Sequence, residues 1–376
     1  MTADDERTTS PELTVNLRIP GPTPCPEEVL AAGARQMMNH RGPEFAQILR
    51  RVTDGLNWVF GSSTDVLSFT TSGTGGLEAA IVNTLSPGDR VLSVSIGSFG
   101  DRFKSIAKAY GADVVSYATE WGEAADPAVI ARMLDDDPSI KAVLVTHNET
   151  STGVTNPLEA IAREVRARDR LILVDAVSSM SSIPCPVERW GLDVVVSGSQ
   201  KGWMVPPGLA FVYMSERAWA ANAEAKMPRF YFDAAKTRDS LAKLQNPWTP
   251  AMSVYYALDK AFELMRAEGL EGIFTRHEAV ANYTRERVKA MGLKLVPVDE
   301  RYASNTVTAV WWPEGVDGKA ISRRAREEFG VVLGGGQGKL EGKIFRVGHL
   351  GWVHQADVAE ALDVVEKLLA EARARV

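Results

Sequence analysis

At 376 residues the chain is long enough to bury a large core and too long for one small domain, so a large domain with a smaller companion is the expected organisation. Apolar residues make up 45% and charged residues 24%, ordinary globular proportions that argue against disorder outside the ends. The net charge of -6 comes with scattered basic residues that form no stripe to follow a phosphate backbone, which argues against a nucleic-acid partner.

Cys25 and Cys185 are far apart, each lies between prolines, and they suggest no disulfide framework, which fits a reducing compartment. The opening MTADDERTTSPE is acidic and polar, lacks the apolar centre of a secretory signal, and reads as a flexible tail over residues 1–18. No stretch approaches the roughly 18 uninterrupted apolar residues of a membrane span. A soluble cytoplasmic protein without a membrane partner is expected.

After the tail, Ile19-Pro20-Gly21-Pro22-Thr23-Pro24 is too rich in proline for a helix or central strand and reads as an extended segment lying across something else. Helices are expected at Pro26–Met38 and Glu44–Phe60, with a break at Asn39-His40-Arg41-Gly42-Pro43. Strand and helix patterns then alternate. Val66–Thr70 precedes Leu77–Leu85, Arg90–Ile96 precedes Arg102–Tyr110, Ala112–Tyr117 precedes Pro127–Leu134, and Lys141–Thr146 precedes Leu158–Arg166. Strands at Leu171–Val174, Asp193–Val196 and Leu209–Met214 follow. Such alternation predicts an α/β large domain over residues 19–250, a mostly parallel sheet with helices on both faces. The pattern changes at Asn246-Pro247-Trp248-Thr249-Pro250. Beyond it come helices near Ser253–Ala267 and Ile273–Met291, strands near Lys294–Val298 and Thr306–Trp312, a helix at Lys319–Phe329 and strands near Val331 and Ile344. Gln355–Arg373 closes the chain with Val358, Leu362, Val365 and Leu369 on one helical face, so residues 251–376 read as a smaller α+β domain.

The segment Leu171–Gly208 carries the most chemistry. Its two buried strands deliver Asp175 and Lys201 at their carboxyl ends, the edge where open α/β sheets bind ligands. A lysine in an apolar, glycine-flanked turn suits Schiff-base formation, because desolvation frees the amine as a nucleophile. An aspartate one strand away suits a protonated pyridine nitrogen. Together they suggest pyridoxal phosphate. The run Thr70-Thr71-Ser72-Gly73-Thr74-Gly75-Gly76-Leu77-Glu78, between a strand and a helix, is a sound phosphate cradle. It is no dinucleotide fingerprint, since Glu78 stands where the third glycine is required. Gly334-Gly335-Gly336-Gln337-Gly338-Lys339 lacks the leading glycine and the trailing hydroxyl of a P-loop and reads as a flexible turn. His40, His147, His277, His349 and His354 show no metal spacing, so no metal site is expected.

Val174-Asp175-Ala176-Val177-Ser178-Ser179, Ser197-Gly198-Ser199-Gln200-Lys201 and Pro206-Pro207-Gly208, in that order and spacing, resemble the fold type I, class V aminotransferases, within them the alanine/serine–glyoxylate branch. The resemblance runs from about Ile19 to the end of the chain. It implies Lys201 and Asp175 as catalytic residues, with Thr74, Gly75, Gly76 and Gln200 on the cofactor phosphate and Val177 also at the cofactor. Thr150, directly after Glu149, would bond its phenolic oxygen, and Phe99 would stack on its ring. Thr249 would reach the phosphate from the neighbouring subunit, making a homodimer with shared active sites. Arg346 would hold the substrate carboxylate, a task its forked guanidinium suits, and Gly21 would lie at the substrate edge.

The expected activity is pyridoxal-phosphate-dependent transfer of an amino group from serine or alanine to a 2-oxo acid such as glyoxylate or pyruvate. A lyase, or a transaminase of an unusual amine, uses the same fold and cofactor and remains an alternative. A desulfurase would need a mobile cysteine late in the chain, whereas both cysteines here precede residue 186. A catalytically silent dimeric scaffold would be expected to have lost Lys201, Asp175 or Arg346, and all three are present.

Overall fold

Short apolar runs punctuated by glycine, proline and small polar residues form the strands, and amphipathic stretches between them form the helices, in this computed structural model, which describes residues 15–374. The chain opens with β1 (Asn16–Arg18), α1 (Glu27–Gly33) and α2 (Pro43–Phe60). The alternating part comprises β2 (Leu67–Thr70), α3 (Gly73–Thr84), β3 (Arg90–Ser95), α4 (Ser98–Ala109), β4 (Asp113–Ala118), α5 (Pro127–Asp136) and β5 (Ala142–Thr146). A short hairpin of β6 (Asn148–Glu149) and β7 (Val154–Thr155) leads to α6 (Leu158–Ala167), β8 (Leu171–Asp175), β9 (Val194–Gly198) and β10 (Leu209–Met214). Helices α7 (Glu216–Glu224), α8 (Ala234–Leu241), α9 (Met252–Glu268) and α10 (Leu270–Ala290) follow. The remainder is β11 (Lys294–Leu295), β12 (Val307–Trp311), α11 (Gly318–Phe329), β13 (Val331–Gly335), β14 (Ile344–Gly348) and α12 (Gln355–Arg373).

Seven strands form the large sheet in the order β2-β10-β9-β8-β5-β3-β4, parallel throughout except for β10, which runs against both its neighbours. Burial on both faces explains the composition: β5, β9 and β10 are buried at every position and read as unbroken apolar runs. Asp175 ends β8 in register with Thr146 and Val196, so the turns after β5, β8 and β9 emerge side by side. The second sheet has the order β1-β13-β14-β12-β11, and α10, α11 and α12 close a separate core around Val310, Phe345, Val347 and Leu362.

Four local expectations change. Residues 16–18, read as part of the tail, form β1 and pair in parallel with Val331–Leu333, a partner too distant in sequence to show in a local pattern. The helix expected to reach Met38 stops at Gly33, where the backbone lies against Ser253 on α9. Helices α3 and α4 start earlier than their apolar periodicity suggests, because their first turns carry glycine and serine for close approach to neighbours rather than apolar side chains. Helix α9, placed with the second domain by sequence, packs Tyr255, Tyr256, Leu258 and Phe262 into the core of the large one. The turn at His40-Arg41 is tied outward, with the Arg41 guanidinium donating to Gln245 Oε1 at 3.3 Å.

Trp203, just beyond Lys201, fixes the turn after β9 to this core. It is fully buried, packs against Phe60, Phe211 and Phe262, and donates its indole N–H to Ser197 Oγ at 2.9 Å. Trp203→Ala leaves a cavity and an unpaired hydroxyl, and is expected to lower the unfolding free energy by about 3–5 kcal/mol, measured by denaturant titration.

Candidate active site

Strands β2, β3, β5, β8 and β9 each deliver one feature to the same carboxyl edge of the large sheet. After β2, the chain turns directly into α3, whose first turn is Gly73-Thr74-Gly75-Gly76. Ser72 makes no side-chain cap there, so the helix terminus keeps its donors for an anion. A Cβ on Gly75 would lie 2.1 Å from Thr71 Oγ1, which shows how closely the backbone folds at this point. Gln200 stands alongside: its Oε1 is buried without a partner, and the ideal Cβ position of Gly198 lies within 3.1 Å of that oxygen and 3.4 Å of Gly73 N. Val177 packs on the other side, its side chain 2.8 Å from where a Gly73 Cβ would sit.

After β3, the first turn of α4 carries Phe99. One of its faces lies under the Arg102 guanidinium, 4.8 Å from the ring centroid, while Arg102 also donates to Thr74 Oγ1 at 3.5 Å. The amino end of α4 is closed by the buried Glu149 carboxylate, which accepts from the backbone of Phe99, Gly100 and Ser151 and from Ser151 Oγ. Burial raises the Glu149 pKa and those hydrogen bonds oppose the rise. Thr150 is buried next to it, donating to Ser178 Oγ at 2.8 Å; Ser178 in turn donates to the Asn148 carbonyl.

Asp175 and Lys201 occupy the ends of neighbouring strands. Asp175 is buried, accepts from Val177 N at 3.0 Å, and is pushed up to about 6, chiefly by loss of solvent. It is therefore mostly ionised at neutral pH. Lys201 is 9% exposed, and burial, reinforced by the nearby Arg346 charge, lowers it to about 8. Its Nζ donates to the Pro20 carbonyl at 2.5 Å. Pro20 belongs to the extended segment after β1, which crosses from the second sheet and is held over Lys201 by Thr23: Thr23 N donates to Gln200 O and Thr23 Oγ1 to Lys201 O. Gly21 is required here, with φ +129° and no room for a Cβ, which would stand 2.7 Å from Lys201 Nζ.

Arg346 reaches the same space from β14. It is buried, and burial pulls its guanidinium down to about 10, with the Glu149 charge opposing, so it stays cationic at neutral pH. Its Nε donates to Gly335 O at 2.8 Å and its Nη1 to Thr150 O at 3.0 Å. Thr249 is different. Its loop is tied to the end of β2 by Ala251 N donating to Thr70 Oγ1, but the Thr249 side chain is exposed and makes no hydrogen bond within the site among the described residues.

The structure thus gathers Gly21, Thr74, Gly75, Gly76, Phe99, Thr150, Asp175, Val177, Gln200, Lys201 and Arg346 around one edge and leaves Thr249 facing outward. Sequence reading missed Glu149 as the anchor of the Phe99 turn, Ser178 as the partner of Thr150, Arg102 above Phe99, and the Pro20 carbonyl on Lys201. Glu149 and Ser178 stood inside motifs already singled out. The bond to a main-chain carbonyl leaves no sequence signal.

The chain is similar to several known proteins. A family model described as aminotransferase class-V matches residues 16–339. A curated relative named "Soluble hydrogenase, small subunit", from Synechococcus sp., is 46% identical over 359 residues, covering 94% of this chain and 93% of that protein. The L-aspartate–glyoxylate aminotransferase of Paracoccus denitrificans is 38% identical over 358 residues, covering 94% of this chain and 90% of its own. An alanine–glyoxylate aminotransferase from Nostoc sp., a solved structure, superposes with a TM-score of 0.90 at 32% identity, covering 98% of this chain and 100% of the other.

A depressed lysine has a chemical signature. An unperturbed lysine loses its proton near 10.5, whereas the buried amine of Lys201 is half neutral near pH 8. In cofactor-free protein, acetylation of Lys201 by acetic anhydride, read by peptide mass spectrometry, is expected to rise with a midpoint near pH 8 while the exposed lysines keep gaining reactivity at higher pH. A Lys201 curve that follows theirs would mean that the amine is not desolvated.

Proposed function

The chain belongs to the class-V aminotransferase family, and on that premise we propose that it is a pyridoxal-phosphate-dependent transaminase that moves an amino group from serine or alanine to a 2-oxo acid such as glyoxylate or pyruvate. The observation that carries this reading is the buried Lys201 amine beside the buried Asp175 carboxylate, at the edge where the α3 amino terminus opens. The Paracoccus and Nostoc proteins are both named for glyoxylate and differ in donor, which supports glyoxylate as acceptor. The tight passage of Gly21 over Lys201 Nζ supports a small donor.

The residues present fit the cofactor. Gly73 to Gly76 and the free end of α3 suit its phosphate, and the unpartnered Gln200 amide, turned by half a rotation, offers N–H groups to the same anion. Asp175 supplies the negative charge suited to its pyridine nitrogen, Thr150 a hydroxyl that can turn from Ser178 toward its phenolic oxygen, and Phe99 a ring face. Bound there, pyridoxal phosphate supplies the electron sink that makes a substrate Cα–H bond acidic.

The chain's own groups do the rest. Lys201 Nζ, half neutral near pH 8, would hold the cofactor and would serve as the base that takes the proton from the substrate Cα, a role typically worth roughly 100- to 10,000-fold. Arg346 orients the substrate through its carboxylate, fixing which Cα bond faces Lys201. The Pro20 carbonyl and Gly21 limit the space above the amine and keep bulk water from it.

Thr249 supports a homodimer in which each copy completes the other's cradle. It lies on the surface beside an aromatic group of Trp248, Tyr231 and Phe230, the last 70% exposed, which is an apolar surface suited to burial against a second copy. The name of the Synechococcus relative finds no matching donor set: among the described residues no three His, Cys, Asp or Glu side chains converge as metal ligands, and Cys25 and Cys185 are both free thiols.

Purified protein supplied with pyridoxal phosphate should show a visible absorbance band that is absent from Lys201→Ala, and serine or alanine without an acceptor should convert that band in a single turnover. Failure to bind the cofactor would defeat the reading, and release of ammonia without an acceptor would identify a lyase. Arg346→Ala should raise KM for the amino donor by about 10- to 100-fold, the loss of charged hydrogen bonds, with cofactor affinity little changed. Loss of cofactor at unchanged KM would make Arg346 structural.

A further inference from the structure

Arg346 has five N–H groups, and their disposition limits how a carboxylate is received. The Nε proton is committed to Gly335 O and one Nη1 proton to Thr150 O, both carbonyls of the main chain. Nη1 also lies 3.5 Å from Gln337 Oε1, the longest of the three bonds and the one whose acceptor is a side chain. Among the described residues, Nη2 has no protein partner. A bidentate carboxylate spans two adjacent nitrogens, and with Nε taken it must use Nη1 and Nη2. It therefore needs Nη1, and of the two acceptors there Thr150 O belongs to the main chain while Gln337 Oε1 is a side chain free to turn away.

We infer that the Gln337 amide oxygen holds the place of one carboxylate oxygen on Arg346 and is displaced when a carboxylate ligand binds. This rests on the reading of Arg346 as the carboxylate holder. Gln337 is half-buried in the glycine-rich turn between β13 and β14, and this contact is its sole side-chain hydrogen bond among the described residues. Rotation of its own side chain is enough to release it, so the turn itself, steadied by Lys339 over the Trp121 ring at 5.7 Å, can stay in place. A carboxylate adds the attraction of its own charge for the guanidinium, which the neutral amide lacks, and wins the exchange against one 3.5 Å bond. Gln337 is thus a specificity-determining residue: it satisfies the buried cation when the site is empty and raises the threshold that a ligand must pass.

The test is equilibrium binding of propionate, which is alanine without its amine and cannot react, to holoenzyme, followed by the shift of the cofactor absorbance. Gln337→Ala removes the competitor and is expected to tighten propionate by about 2- to 5-fold, the loss of one long hydrogen bond. Gln337→Glu places an anion on Arg346 and is expected to weaken it by at least about 10-fold. Weaker or unchanged binding in Gln337→Ala would overturn the inference, the former by making Gln337 a ligand contact. Arg346→Ala, titrated in parallel, separates the two readings. If propionate binding does not depend on Arg346, the carboxylate role falls and Gln337 with it; if it does, and Gln337→Ala fails to tighten it, the Gln337 inference alone is wrong.

Discussion

An amine buried at the carboxyl edge of a parallel sheet is the constraint to which the surrounding architecture answers. A lysine taken out of water loses the hydration of its charge, and the molecule offsets this only in part, with the Pro20 carbonyl at 2.5 Å and the Asp175 charge on the neighbouring strand. Arg346 and Arg102 act against the charged form. The balance leaves the amine near the neutral point at physiological pH, able to act as a nucleophile and a base. Asp175 is tuned in the opposite sense by the same loss of water, yet keeps its charge because Val177 N and Lys201 favour the carboxylate. Two groups of opposite type are thereby brought into a narrow range around neutrality by one physical cause.

The second domain enters this site by two routes. Strand β1 anchors the chain to β13, and the segment that follows crosses to place Pro20 and Gly21 over Lys201. Strand β14 brings Arg346 to the Thr150 carbonyl of the large domain. The site is thus a seam between two cores, with the buried Lys201 amine on one side and the Arg346 guanidinium on the other.

Buried polar networks hold this seam in place. Glu149 closes the first turn of α4 and so sets the Phe99 backbone, while Ser178 takes the Thr150 hydroxyl and is itself bonded to Asn148. In a low-dielectric interior each such group must be satisfied, and a satisfied network admits few alternative geometries. Thr249 shows the opposite case: among the described residues it lies outside any such network, beside an exposed aromatic surface.

The alternation of strand and helix, the mostly parallel sheet and the arrival of Asp175, Lys201, Thr150 and the glycine cradle at one edge were legible in the sequence. Unbroken apolar runs mark strands buried on both faces, and the carboxyl end of such a strand is a defined place in space. Arg346 and Phe99 were legible only through resemblance, since nothing in their local pattern tells a site residue from a core one. Tertiary structure alone decided that residues 16–18 are a strand, that α9 belongs to the large core, that Pro20 faces the lysine, and that Arg346 Nη1 meets both Thr150 and Gln337. Each of these depends on a partner far away along the chain, and main-chain carbonyls, which every residue carries, leave no trace in the order of side chains. Periodicity and punctuation encode what a segment is; which distant segment it meets is set by how the two cores pack.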